Sequence, residues 1–244
     1  MKEQDLTVSP FIRGKIKVIQ KKEGYRFGID SPLLASFVKL SRRGRLIDLG
    51  TGSGILILLL NLKYKNIEYH ALELQPDLFQ IAQKNFQLNN IKVNLKLGNV
   101  KDIKKLYPSQ YFDYVVSNPP FYKSSMEKSK NEEIKIAKAE IKASLEDFIY
   151  ASSYLLKNKG KLFIINNINR FSETVILLKK YKIQPKRIRI VYPTLDENAT
   201  NFLIEGLKGG KEGGEVMEKP LIIYKNPKEK QYTEEVQFVL ENFC

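Results

Sequence analysis

Cysteine and histidine are almost missing from this chain. Cys244 is the only cysteine and the last residue, and His70 is the only histidine. These two scarcities argue against a disulfide framework, a thiolate metal site, a cysteine nucleophile and any His-based triad. No metal is expected, and His70 reads as a packing residue inside a strand. Long apolar runs are missing too. The longest, Ile55 to Leu60, is far short of the roughly 20 residues that span a bilayer. No secretory leader pattern opens the chain, so a cytoplasmic protein without membrane attachment is expected. Acidic residues are the third shortage: 27 against 41 basic ones, a formal charge of +14. Such an excess favours a polyanionic partner, most simply nucleic acid.

What is present suits one large folded domain. The 244 residues are 43% apolar, enough for a sizeable core. Strand and helix signals alternate. Arg45–Leu49, Ile67–Leu72, Val93–Leu97, Phe112–Ser117 and Lys161–Ile165 read as buried strands. Helical patterns follow at Ile55–Lys63, from Pro76 through Leu88, at Leu145–Leu156 with Ser144 as N-cap, and at Phe171–Tyr181. The pattern then changes. Arg187–Tyr192 and Asn201–Gly206 have no helix between them and are expected to pair as an antiparallel hairpin. The result is an α/β, Rossmann-like, open doubly wound sheet of seven mostly parallel strands, the last antiparallel, with helices on both faces. Residues 1–38 read as an N-terminal extension on a single domain spanning 39–244. The Gly-rich stretch 209–220 reads as a mobile loop.

Two turns carry the chemistry. Asp48-Leu49-Gly50-Thr51-Gly52-Ser53-Gly54 closes the first strand. Gly50 and Gly52 let the backbone approach a ligand where a side chain would collide, and Thr51 and Gly54 complete the turn. The spacing is not the Gly-x-Gly-x-x-Gly of dinucleotide folds. S-adenosylmethionine fits better. Asp48 would help receive its cationic amino group. Glu73, at the tip of the second strand, would accept the ribose hydroxyls. Asn99, after the third, would contact adenine, with Leu74 and Val100 beside them.

The second turn is Asn118-Pro119-Pro120-Phe121, after the fourth strand. An exocyclic amine on a purine is a poor nucleophile because its lone pair is delocalised into the ring. The Asn118 side-chain oxygen and the Pro119 carbonyl would each accept one N–H, freeing the lone pair. Pro119 and Pro120 stiffen the turn, so orientation is settled before the base arrives. Phe121 offers a stacking face worth roughly 1–3 kcal/mol. The base must first leave its stack, which favours a structured RNA with an exposed loop, as in tRNA. Phosphate contacts are expected from Arg13, Lys15, Lys17, Lys21, Lys22 and Arg26, from Lys123 beside the turn, and from Lys186, Arg187 and Arg189.

Together with Tyr25-Arg26-Phe27-Gly28-Ile29-Asp30 and the Val191 to Gly206 segment, these motifs resemble the bacterial tRNA1(Val) (adenine-37-N6)-methyltransferases, a class I group with an Asn-Pro-Pro-aromatic turn. The resemblance implies methylation at N6 of an adenine next to the anticodon. It also implies a flap before Asp30 covering the donor, with Tyr25, Phe27 and Asp30 contributing. A monomer or weak homodimer is expected. Guanine-N2 methylation of rRNA and N5 methylation of a protein glutamine use similar turns, and a catalytically silent RNA-binding module is a rival outside enzymology.

Overall fold

The structure, a computed structural model, describes residues 6–22, 27–119, 143–226 and 231–243. The chain begins with an antiparallel hairpin, β1 (Leu6–Phe11) and β2 (Ile16–Lys21). Helix α1 (Asp30–Phe37) leads into β3 (Gly44–Leu49). From there strand and helix alternate: α2 (Ile55–Lys63), β4 (Ile67–Glu73), α3 (Pro76–Leu88), β5 (Val93–Leu97), the short α4 (Ile103–Leu106) and β6 (Phe112–Ser117). After the Asn118-Pro119 turn come α5 (Leu145–Leu155), β7 (Leu156–Asn167), α6 (Phe171–Lys180), β8 (Ile183–Tyr192) and β9 (Asn201–Lys208).

The seven strands β3 to β9 lie in the order β8-β9-β7-β6-β3-β4-β5. Only β9 runs against its neighbours, pairing antiparallel with both β7 and β8. This is the expected sheet with its reversed last strand. Its central parallel strands β3, β4 and β6 are largely buried on both faces, so they read as apolar runs, whereas the edge strand β5 is only half-buried. One face carries α1, α2 and α3. The other carries α5 and α6.

Local chemistry explains the element boundaries. Ser144 Oγ accepts the Asp147 N–H at 3.2 Å while Asp147 Oδ2 accepts the Ser144 N–H at 2.8 Å, a reciprocal cap at the start of α5. Pro76 opens α3 where a helix has no use for an N–H. Helix α2 is apolar all round, and Ile55 to Leu60 are all buried. Leu78, Ile81, Ala82, Asn85 and Phe86 form the buried stripe of α3, but Leu88, expected to extend it, is exposed.

Other features depart from expectation. Strand β7 starts at Leu156, because an irregularity between Phe112 and Tyr114 lets it pair with β6 earlier than Lys161. The stretch read as a loop contains a strand: β10 (Val216–Met217) pairs parallel with Arg187–Ile188. Strand β11 (Leu221–Ile222) adds to the same edge, and α7 (Glu234–Glu241) ends the described fold. His70 packs inside β4, its ring edge-on to Phe112 at 4.9 Å, with Nε2 at 2.9 Å from Glu68 Oε1.

Candidate active site

The carboxyl ends of β3, β4 and β6 meet in one place. Strand β3 lies between the other two, and its Asp48 is in register with Ala71 and Val116. Ser117 Oγ donates to the Leu49 carbonyl at 2.8 Å, tying the two turns together. Asn118 directly follows Ser117, as Gly50 directly follows Leu49.

The glycine turn is a left-handed staircase. Gly50, Gly52 and Gly54 have φ of +74°, +59° and +83°, conformations that L side chains resist. The Gly50 and Thr51 N–H groups both donate to the Leu72 carbonyl, at 2.9 and 3.1 Å. A Cβ at Gly50 would meet the Phe148 ring at 3.4 Å. Gly54 has a different reason: a Cβ there would lie 2.6 Å from the Phe86 ring, so this glycine lets α3 close against the turn.

Two buried carboxylates flank this turn. Asp48 is 2% exposed and accepts the Thr51 hydroxyl at 2.7 Å. Burial pushes its pKa up to about 7, with the neighbouring Glu73 charge adding to the effect and the Thr51 bond opposing it. Glu73 is 4% exposed, and its two oxygens accept the Gly52 and Gln75 N–H groups, both at 2.8 Å. Burial raises its pKa as well, against the pull of those N–H bonds. Neither carboxylate has a lysine or arginine partner among the described residues. Such a site suits a ligand carrying positive charge and hydroxyl hydrogens, and repels a pyrophosphate. The residues present therefore fit S-adenosylmethionine, a sulfonium with an ammonium group and a ribose.

Asn118 Oδ1 is buried and has no hydrogen-bond partner among the described residues. An amide oxygen left this way is costly unless something fills it. Pro119, next to it, is buried. Of the other expected ligands, Asn99 accepts the Lys101 N–H at 3.0 Å and caps a short turn, Val100 is buried, and Leu74 is half-buried. Phe27 packs on Phe11 with ring centroids 5.4 Å apart, and Asp30 opens α1 with its pKa raised by burial. Tyr25, Arg26, Pro120, Phe121 and Lys123 lie outside the described residues.

The residues expected to hold phosphate scatter. Lys21 pairs with Asp77 at 3.0 Å, near the start of α3, and Lys22 follows it, so both lie toward the glycine turn. Lys17 lies at the other end: its backbone N–H donates to Asn89, just past α3, at 2.9 Å. Arg13 pairs with Glu241 at 2.5 Å, and Lys15 Nζ donates to the Asn242 carbonyl at 3.2 Å, further still from the turn. The structure reassigns three others. Arg187 donates to Glu205 at 2.5 Å, to Glu218 at 2.8 Å and to the Phe37 carbonyl at 2.8 Å, and stacks over the Phe37 ring. With its side chain 15% exposed, its donors are committed inside the fold. Arg189 grips Glu235 with both Nη atoms, at 2.6 and 2.7 Å. Lys186 Nζ donates to the Lys211 and Gly213 carbonyls.

Two supporting residues escape the sequence reading. Asn85 is fully buried. Its Oδ1 accepts the Ile19 N–H at 2.7 Å, and its Nδ2 donates to the Ile19 and Ser53 carbonyls at 3.0 and 2.8 Å. Asn89 treats Lys17 the same way. Two asparagines one helical turn apart thus stand in for a strand beside β2 and brace the glycine turn. The available signal was a pair of amides, i and i+4, on an otherwise apolar stripe.

The sheet order and the paired turns define a Rossmann-like class I methyltransferase. The family model for the methyltransferase small domain matches residues 25–184, and the chain belongs to that family. It is 28% identical over 171 residues to the tRNA1(Val) (adenine(37)-N6)-methyltransferase of Porphyromonas gingivalis strain W83, covering 67% of each chain. A relative of the same name from Aliivibrio salmonicida is 24% identical over 182 residues, 75% of this chain and 77% of that one. Among solved structures, a predicted O-methyltransferase from Agrobacterium tumefaciens superposes with a TM-score of 0.69 at 20% identity, over 86% of this chain and 94% of that one. That likeness concerns the fold alone.

Proposed function

We propose that this protein transfers a methyl group from S-adenosylmethionine to the exocyclic N6 of an adenine in tRNA, in the anticodon loop. The observation that carries the reading is the buried Asn118 Oδ1, without a partner among the described residues, next to the Ser117 that ties the two turns together. An acceptor with no donor, at the rim of a cation-adapted cradle, suits a planar NH2 group. The two relatives named for adenine-37 N6 methylation of tRNA1(Val) support adenine and tRNA in particular, and the +14 charge suits a nucleic acid.

The bound donor supplies an electrophilic methyl carbon. The chain does the rest. Asp48 and the glycine turn hold the ammonium end. Each Glu73 oxygen already accepts one backbone N–H, which fixes the carboxylate and leaves acceptor capacity for the ribose. Leu74, Asn99 and Val100 border the adenine, and the extension before Asp30, with Tyr25 and Phe27, covers the donor. Asn118 Oδ1 and the Pro119 carbonyl take the two amine hydrogens, so the lone pair leaves conjugation and points at the methyl. Pro120 stiffens the turn and Phe121 stacks on the base. No strong base is needed, because the amine becomes acidic only once methylated. We assign the protein to the cytoplasm, as a monomer or weak homodimer.

Asn118→Ala tests this directly. Transfer to tRNA should fall about 100-fold or more, as when one preorganised catalytic hydrogen-bonding group is removed, while donor affinity by calorimetry stays within a few-fold. Digestion of methylated tRNA to nucleosides and mass analysis should give N6-methyladenosine. N2-methylguanosine, or full activity in Asn118→Ala, would overturn the assignment.

A further inference from the structure

Much of the positive charge of the described residues lies at the end of the sheet away from the Asn-Pro-Pro turn. In a parallel sheet, the turns that precede the strands gather at the end opposite the site. The turns and first strand residues at that end hold four cations in 38–45, two in 63–66, one in 89–92, three in 157–161 and three in 179–182, and no acidic residue in any of these stretches. Two turns at the catalytic end are the reverse, while the one after β5 holds Lys101, Lys104 and Lys105 against Asp102. Segment 73–77 contains Glu73 and Asp77 without a cation, and segment 193–200 contains Asp196 and Glu197 without one. The sheet order β8-β9-β7-β6-β3-β4-β5 lines the cationic turns up in a row, roughly 30 Å long at ~4.8 Å per strand.

Carboxylates from outside these stretches neutralise part of this rim. Lys157 pairs with Asp113, Lys161 with Glu205, Arg45 with Glu68 and Lys180 with Glu146. Arg42, Arg43, Lys65, Lys92, Lys159 and Lys182 are all exposed and have no carboxylate partner among the described residues. Lys208 Nζ, bonded to Ser153 Oγ and the Tyr181 carbonyl, is held below the usual lysine pKa by burial and by the nearby Lys182 charge. Like charges gathered without compensation await an anion. The large apolar side chains exposed elsewhere on the fold, such as Leu195 and Ile176, do not occur in these five segments. A membrane-binding face would mix them in.

From this placement we infer that the rim formed by the amino ends of the strands is a second RNA-docking surface, which holds the phosphate backbone of the substrate at a distance from the reacting base. The choice of RNA as the polyanion rests on the tRNA reading above. Strands of six residues such as β3 separate the two ends by roughly 20 Å. A folded RNA bridges that span, and a short loop oligonucleotide does not. The contacts are to phosphate, so they position the RNA and carry no sequence code.

The test is the full-length chain carrying Arg42→Glu, Arg43→Glu, Lys65→Glu and Lys92→Glu together, all exposed positions. Binding of full-length tRNA is measured against salt concentration, alongside a short stem-loop containing the target adenine and phosphatidylserine vesicles. The expected result has five parts. Affinity for tRNA drops at least tenfold at low salt, and the slope of log K against log salt shrinks by about two or more, since each phosphate contact contributes ~0.9. Stem-loop methylation is unchanged, and so are donor affinity and thermal midpoint. Unchanged tRNA affinity and slope would overturn the inference, as would a loss confined to vesicle binding. Nucleoside analysis separates the two readings. If tRNA affinity falls in the variant but the wild-type protein forms no N6-methyladenosine, the rim stands and the proposed reaction fails. If N6-methyladenosine forms and affinity is indifferent to the rim, the reverse holds.

Discussion

Single residues at the glycine turn set two opposing demands. In the proposed role Asp48 must be charged to receive a cation, yet burial raises its pKa to about 7. Below that value the ligand-free protein holds a proton there. A cationic donor favours the ionised form, so binding releases the proton, and affinity should rise as pH increases from about 6 to 8. Calorimetry in buffers of different ionisation enthalpy should detect the released proton, and Asp48→Asn should abolish the pH dependence. The same shift affects stability. A carboxyl whose folded pKa exceeds its unfolded value binds more protons when folded, so this group's contribution becomes less favourable as pH rises from about 4 to 7. Saturating donor should reduce that loss, read as thermal midpoint against pH. Gly54 is constrained by packing. Gly54→Ala would place a methyl 2.6 Å from the Phe86 ring on a backbone with φ of +83°, and should cost about 2 kcal/mol. Phe86→Leu in the same chain should recover part of it.

At the scale of elements, α3 does two jobs. Its apolar stripe packs on the sheet, while Asn85 and Asn89 pair with the backbone of β2. Asn85→Leu keeps the volume but leaves the Ile19 N–H and the Ile19 and Ser53 carbonyls without their partner. About 3 kcal/mol should be lost, since each buried polar group left unpaired costs about 1–3. Denaturant midpoints would measure it, and hydrogen exchange should show faster opening at Ile19. The alternation of strands and helices was legible because period-2 and period-3.6 patterns are local. The hairpin β1–β2, the early start of β7 and strand β10 were not. Their pairing depends on which distant edge lies open: Val216 and Met217 become a strand only because Arg187 and Ile188 present unpaired groups beside them.

Across the whole molecule, charge is placed by topology. Arg187 and Arg189 sit in a run of cations with no acid nearby in the sequence, which reads as a phosphate-binding stretch. The fold instead brings Glu205, Glu218 and Glu235 to them from up to 46 residues away. Arg187→Met should therefore lower the thermal midpoint, because Glu205 would be left buried with Lys161 alone. Breaking a buried pair costs roughly 3 kcal/mol. The salt dependence of RNA binding should not change, whereas reversal of the exposed rim charges should change it. That contrast distinguishes structural cations from surface ones.

The amino-acid sequence by itself determined the order of the elements, the three-glycine turn, the Asn-Pro-Pro turn and the acid at the tip of β4. Each is a local matter of backbone freedom, ring constraint or hydrophobic period. Only the tertiary structure decided which cations are neutralised and which face solvent, and that Asn118 Oδ1 is buried without a partner among the described residues. It also decided that, among the described residues, Arg42, Arg43, Lys65, Lys92, Lys159 and Lys182 stand exposed without a carboxylate partner at the amino ends of the strands. Those outcomes depend on long-range neighbours and on burial, because the same lysine or amide behaves differently according to what the folded chain sets against it.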